Sequence, residues 1–127
     1  MYLVDTDVCV QYLRNDKAVV RELSVLENLH ISTVTLAELF FGLFNSKKPE
    51  KHKKAVQSFL SFISVLDVTF PIAFGFGNIK ARLKKKGHLI QDFDILNGSI
   101  ARTYSMTLVT RNVKHYSQID NLNIQTL

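Results

Sequence analysis

Short apolar runs alternate with helical segments along the whole chain, and this alternation limits the fold more than any other feature. Tyr2–Val4, His30–Ser32, Ser64–Val68 and Thr107–Thr110 read as strands, and Asn123–Gln125 as a fifth strand at an edge. Between them lie segments with helical spacing and helix punctuation. Val8–Arg14 is a short helix, and Asp16 can cap a second one running to about Leu29. Thr33 or Thr35 caps a helix over Leu36–Phe44, with Glu38 three residues after Thr35 as a capping box requires. Pro49 suits the first turn of a helix from Glu50 to about Ile63. Pro71 opens a helix that reaches Lys86 and stops at Gly87. Asp92 precedes a helix from Asp94 to about Tyr104, and Val113–Ile119 is a short helical or turn segment. Strands separated by helices pair in parallel. The expected fold is therefore α/β, an α/β/α sandwich around a mostly parallel sheet of four to five strands. Its 127 residues suit a single domain, 1–127, with one core.

In such a sheet, chemistry gathers where the strands end. The first strand ends in Asp5-Thr6-Asp7, so two carboxylates stand at that edge. The same topology brings Glu38, the pair Asp92 and Asp94, and Thr110-Arg111-Asn112 to it. Hard oxygen groups of this kind suit Mg²⁺ or Mn²⁺, and no paired Cys or His has zinc spacing. A cation held there would activate water and stabilise an in-line displacement at phosphorus without a nucleophilic side chain. Helix capping is the plain alternative for each acid. It suffices for Asp16 and Asp92, and less well for Asp5, which follows an apolar strand directly.

Composition narrows the setting. Hydrophobic residues make up 46% and charged residues 21%, which excludes a disordered chain. Cys9 is the lone cysteine, so no internal disulfide can form. No leader-like segment and no membrane-length apolar run is evident, and the cytoplasm is the expected location. The net charge is +5 and the pI about 9.4. A basic domain with an acidic site fits a polyanionic substrate met through a cation.

Four stretches carry a resemblance to a known family. They are Leu3-Val4-Asp5-Thr6-Asp7-Val8, Ser32-Thr33-Val34-Thr35-Leu36-Ala37-Glu38-Leu39, Asp92-Phe93-Asp94-Ile95-Leu96 and Leu108-Val109-Thr110-Arg111-Asn112-Val113. In this order they resemble a PIN domain, specifically a VapC-type ribonuclease toxin of a type II toxin–antitoxin pair, over nearly the whole chain. The resemblance implies that Asp5, Glu38 and Asp94 are the first three acids and that Asn112 takes the fourth position. Asp5 and Asp94 would bind Mg²⁺ or Mn²⁺. Thr6 and Thr110 would hold the first acid, and Ser32 would sit near the site. It further implies cleavage of single-stranded regions of structured RNA, a homodimer, and a cognate antitoxin that covers the site. The chain departs from the family pattern at Asp7, where Asn is usual. It also departs at Asn97-Gly98-Ser99, which replaces Ile-Ala-Ala and lowers helix propensity.

Other features have two readings each. The runs Lys47–Lys54 and Lys80–Lys86 are solvated helix faces or phosphate contacts. Arg111 and Lys114 flank Asn112 and are better placed to touch RNA. His115 reads as a surface histidine rather than a general acid, and Cys9 as a small core residue. Phe40, Phe41, Leu43 and Phe44 cover more than one helix face, so part of the run meets a partner or lies beneath the helix Phe70–Lys86. Two other functions fit the pattern. One is a haloacid-dehalogenase-like phosphotransferase, which also opens with a strand and Asp-x-Asp. The other is a non-catalytic PIN-like module that binds RNA or protein.

Overall fold

A computed structural model describes all residues, 1–127. The elements follow the alternation closely. They are β1 (Tyr2–Val4), α1 (Thr6–Leu13), α2 (Lys17–Ser24), β2 (Leu29–Ser32), α3 (Thr33–Phe44) and α4 (Pro49–Leu60). Next come β3 (Ser64–Leu66), α5 (Phe70–Lys86), α6 (Asp92–Thr103), β4 (Thr107–Val109), α7 (Val113–Tyr116) and β5 (Asn123–Gln125). The strand order is β3-β2-β1-β4-β5 and every pair is parallel. The order reverses between β1 and β4, so the crevice of this sheet lies beyond the ends of those two strands.

Successive residues on each strand face opposite layers. Leu3 and Leu108 pack with Ile72, Ile79, Ile95 and Ile100 beneath α5 and α6. Val4, Ile31 and Val109 pack with Val8, Val19, Leu23 and Phe59 on the other face. Cys9 is buried in that second layer, as a core residue should be. Two helices cover the first layer closely because Gly75 of α5 rests on Ser99 of α6, whose hydroxyl donates to the Ile72 carbonyl at 2.9 Å.

Several local expectations are corrected. The second helix stops at Ser24, and a left-handed Asn28 turns the chain into β2, which takes Leu29. Ser32, not Thr33 or Thr35, caps α3: extended backbone ends β2 there, and its Oγ accepts from the Thr35 amide at 3.0 Å. The last core helix begins at Asp92, which pairs with Lys80 at 2.9 Å instead of capping; Asp16 does cap α2. The Asn97–Ser99 stretch is unbroken helix, because tertiary partners outweigh its weak propensity. Burial beneath α5 does not account for the phenylalanine run. Leu43 is buried, whereas Phe41 and Phe44 are 71% and 84% exposed. No helix is long and apolar enough to cross a membrane.

Candidate active site

The sheet crevice holds Asp5, which is only 3% exposed and is the N-cap of α1. Four donors fix its carboxylate. Oδ1 accepts from the Thr6 amide at 3.0 Å, Asn97 Nδ2 at 3.1 Å and the Tyr116 hydroxyl at 3.0 Å. Oδ2 accepts from the Thr110 hydroxyl at 2.9 Å. Thr110 in turn accepts from the Asn112 amide at 2.9 Å, which ties the turn after β4 to the same acid.

Asn97 extends this web inward. Its Nδ2 also donates to Thr35 Oγ1 at 3.2 Å, and its Oδ1 accepts from Ser32 Oγ at 2.6 Å. Ser32, Thr35 and Asn97 are all buried, and no buried side-chain polar atom lacks a partner. A fully paired polar network of this kind holds its members in one arrangement. Gly98 packs closely beside it: a Cβ there would stand 2.6 Å from Ile119 Cδ1, so that side chain would have to shift.

Glu38 reaches the site from the second turn of α3. Its Oε1 accepts from the Thr6 hydroxyl at 2.7 Å, which leaves Oε2 free of protein hydrogen bonds. Thr6 therefore acts differently from the expectation. Its amide serves the first acid, and its hydroxyl holds the second, supported by Thr35 Oγ1 at 3.0 Å.

Asp94 sits in the first turn of α6. Tyr116 lies 3.3 Å from its Oδ1 and His115 Nδ1 lies 3.7 Å from its Oδ2. Partial burial, and then the charge of Asp5, raise its pKa above the ordinary value. The Tyr116 proton is held far more tightly than usual, first by burial and then by the charges of Asp5 and Asp94. One phenolic proton cannot satisfy two carboxylates at once. Asn112 Nδ2 is 2.8 Å from His115 Nδ1, so its side chain meets the histidine and not the acids.

Asp7 is neither idle nor a free ligand. Its Oδ1 accepts from the Val8 amide at 2.7 Å and its Oδ2 from the Arg111 amide at 3.0 Å, which clamps α1 to the loop after β4. Burial, with Asp5 nearby, raises its pKa as well. The Arg111 guanidinium turns to Asp16 at 3.6 Å, away from the acids, while Lys114 is exposed. Burial, and then the charges of Asp5 and Asp7, push the Cys9 thiol up, so it is unreactive.

The sequence pointed to Asp5, Glu38 and Asp94 but missed Tyr116, Asn97, Thr35 and His115 as their neighbours. Asn97 and Gly98 carried a signal: helix-weakening residues in a helix suggest that something other than propensity holds them. No group of three His, Cys, Asp or Glu side chains meets metal-ligand geometry. A magnesium-type ion does not need such a cage, since it is commonly held by one or two carboxylates, water and substrate phosphate. Apart from the His115 nitrogen 3.7 Å from Asp94 Oδ2, the groups at hand are hard oxygens, and the raised pKa of Asp94 beside Asp5 fits a cation between those two acids.

Parallel sheet, acid-lined crevice and four ordered motifs define a class. The family model described as PIN domain matches residues 2–122, and the chain belongs to the PIN domain family. Among its relatives are Ribonuclease VapC2 of Rickettsia felis and the tRNA(fMet)-specific endonuclease VapC of Shigella flexneri. Each is 32% identical over 98% of this chain and 96% of the relative. The crystal structure of VapBC2 from Rickettsia felis, bound to a DNA fragment from its promoter, superposes with a TM-score of 0.93. The identity there is 31%, over 99% of this chain and 98% of that one. DNA-bound VapBC from Salmonella typhimurium gives 0.92 at 29% identity, over 98% and 96%. Within the family, the chain falls among the VapC-type ribonuclease toxins of toxin–antitoxin pairs.

Proposed function

We propose that the protein is a Mg²⁺- or Mn²⁺-dependent endoribonuclease, the toxin of a toxin–antitoxin pair, acting on single-stranded regions of structured RNA in the cytoplasm. The observation that carries this is the position of Asp5 and Asp94 at the reversal point of the sheet, with one hydroxyl, Tyr116, between them. Ribonuclease relatives of nearly full length support the reaction class. Asp5 and Asp94 would hold the cation, and Glu38, steadied by Thr6, would reach it directly or through water. When bound, that cation supplies a hard Lewis acid for phosphodiester hydrolysis.

The rest of the work falls to the chain itself. Thr110, Asn97 and the Thr6 amide keep Asp5 from turning away. Ser32 anchors Asn97, and Asp7 fixes the loop that carries Asn112. Asn112 and His115 meet beside Asp94, where the exposed Lys114 would touch substrate phosphates; Arg111 would join it only by leaving Asp16. Phosphate contacts of this kind position RNA without reading its sequence.

A cognate antitoxin and a second copy of the chain are the partners we propose. Structural relatives solved as VapBC complexes support the antitoxin. The exposed faces of Phe41 and Phe44, and of Phe70 and Phe74 at 84% and 74%, supply apolar surface of the kind that interfaces cover. A phosphotransferase of the dehalogenase type loses support, since no late acidic pair follows β4 and the chain belongs to the PIN family. The test is incubation of purified, antitoxin-free protein with total RNA in Mn²⁺ or in EDTA. Discrete fragments that EDTA prevents are expected. A folded sample that cuts nothing at any metal concentration would leave only the binding module.

A further inference from the structure

One groove on this molecule is unlike the rest of its surface. It encloses about 530 Å³ between α1, α3 and α4, and Glu38 is one of its lining residues. Glu38 thus belongs both to the candidate site and to the groove. Arg14 from the end of α1 and Lys48, Lys51 and His52 from the start of α4 line it as well. Glu38 is the sole carboxylate in the lining. The ion pairs of the molecule involve Lys80, Lys86, Arg111 and His115, so Arg14, Lys48 and Lys51 are free cations.

A second observation points the same way. Lys48 is the N-cap of α4 and its side chain makes no capping hydrogen bond; Pro49 has no amide hydrogen, so the open amides of this 12-residue helix are those of Glu50, whose carboxylate stands in the same turn, and Lys51. Unpartnered amides at a helix start, backed by the helix dipole, favour phosphate oxygens. The lysine run also divides sensibly. Lys48, Lys51, His52 and Ala55 share one helix face and line this groove, whereas Lys53 faces a different, mostly apolar notch beside Phe44.

Building on the ribonuclease reading, we propose that this groove carries a single RNA strand away from the cleaved phosphate. The strand would bend at Glu38 and lay the next phosphates against Arg14, Lys48, Lys51 and the start of α4. The walls α1 and α4 touch each other. Helices in contact stand about 8–10 Å apart between axes, so the groove is a furrow along their contact and not a gap between them. The groove would hold an RNA backbone beside the acids. It acts on phosphates, so it adds affinity but no base preference.

The test uses full-length protein carrying Asp5→Asn, so that binding is read without cleavage. Its affinity for a fluorescein-labelled single-stranded RNA is followed by anisotropy across a salt series. Lys48→Gln with Lys51→Gln is the groove pair. Lys84→Gln with Lys85→Gln on α5 is a control with the same change in net charge. The groove pair should bind about three- to tenfold more weakly, and the slope of log affinity against log salt should fall by about 1.4, roughly 0.7 for each phosphate left without its lysine. The control pair should change binding less than twofold. In the active protein, the groove pair should raise KM and leave kcat at saturating RNA unchanged.

Equal weakening by both pairs, or by neither, overturns the groove while wild-type cleavage leaves the ribonuclease standing. Loss of antitoxin binding with RNA binding intact assigns the groove to protein and also overturns it. Wild-type protein that neither binds nor cuts RNA removes the ribonuclease reading, and the groove proposal with it.

Discussion

Asn97 donates its side-chain amide to Asp5 across 92 residues of sequence, at 3.1 Å and wholly within the protein. The contact makes a helix-weakening residue the inner support of the first acid. Asn97→Leu should keep the volume but strip Asp5, Ser32 and Thr35 of a partner each. A loss of about 1–3 kcal/mol in urea unfolding is expected, with weaker cleavage. Asn97→Asp should lose more at neutral pH, since a third carboxylate then faces Asp5. A leucine variant as stable and as active as wild type would remove Asn97 from the site's support.

Tyr116→Phe retains the buried ring and deletes the one hydroxyl between Asp5 and Asp94. The cost to stability should be about 1 kcal/mol. That hydroxyl lowers the proton affinity of Asp94, so its loss should move the acid limb of the cleavage profile to higher pH. The same limb in both proteins would show that Asp94 does not feel the phenol.

Burial of the acids, and then repulsion between them, also sets a stability profile. Asp94 and Asp7 bind protons more tightly folded than unfolded, from an ordinary value of 3.8 upward. As pH rises through that window the unfolded chain releases its protons first, so folding stability falls. Asp94→Asn should therefore melt at a higher temperature than wild type near pH 7, with the gap closing below about pH 3. Added Mn²⁺ should raise the melting temperature of wild type with concentration and should leave Asp94→Asn unmoved. A variant that gains nothing at pH 7 would contradict the crowding of charge at this position.

Packing beneath the site gives a separate expectation. A Cβ on Gly75 would collide with the Ser99 hydroxyl where α5 crosses α6. Gly75→Ala should cost about 1–3 kcal/mol. Adding Ser99→Ala should recover part of the loss, because it removes the atom in the way. Strictly additive losses in the double variant would mean that the two residues do not press on each other.

The alternation of strands and helices made the fold legible, because period and punctuation are local properties. Asp5, Glu38, Asp94 and Thr110 were legible for a related reason: strand ends and helix starts place them at one edge. The partners of those residues were not legible. Tyr116 looked like one more apolar residue on a short helix, and nothing in its neighbours signals two carboxylates. Thr6 could be matched to a position but not to Glu38, since its hydroxyl direction depends on how α1 leaves β1. The Lys47–Lys54 run resolved only when α4 was set against α1, which put some of its cations in a groove and left others in solvent. Ser32 took the cap from Thr33 and Thr35 because α3 starts at Thr33, directly after the last residue of β2.

The measurement that bears most directly on Asp5 and Asp94 is RNA cleavage by wild type, Asp5→Asn and Asp94→Asn, side by side in Mn²⁺, with circular dichroism and antitoxin binding on the same samples. Both variants should fold and bind antitoxin as wild type does, yet lose cleavage by at least about a hundredfold, a loss of roughly 2.7 kcal/mol in transition-state stabilisation, and lose growth inhibition in cells. Folded variants that still cleave the same RNA in both cases would contradict a metal-dependent reaction at these two acids.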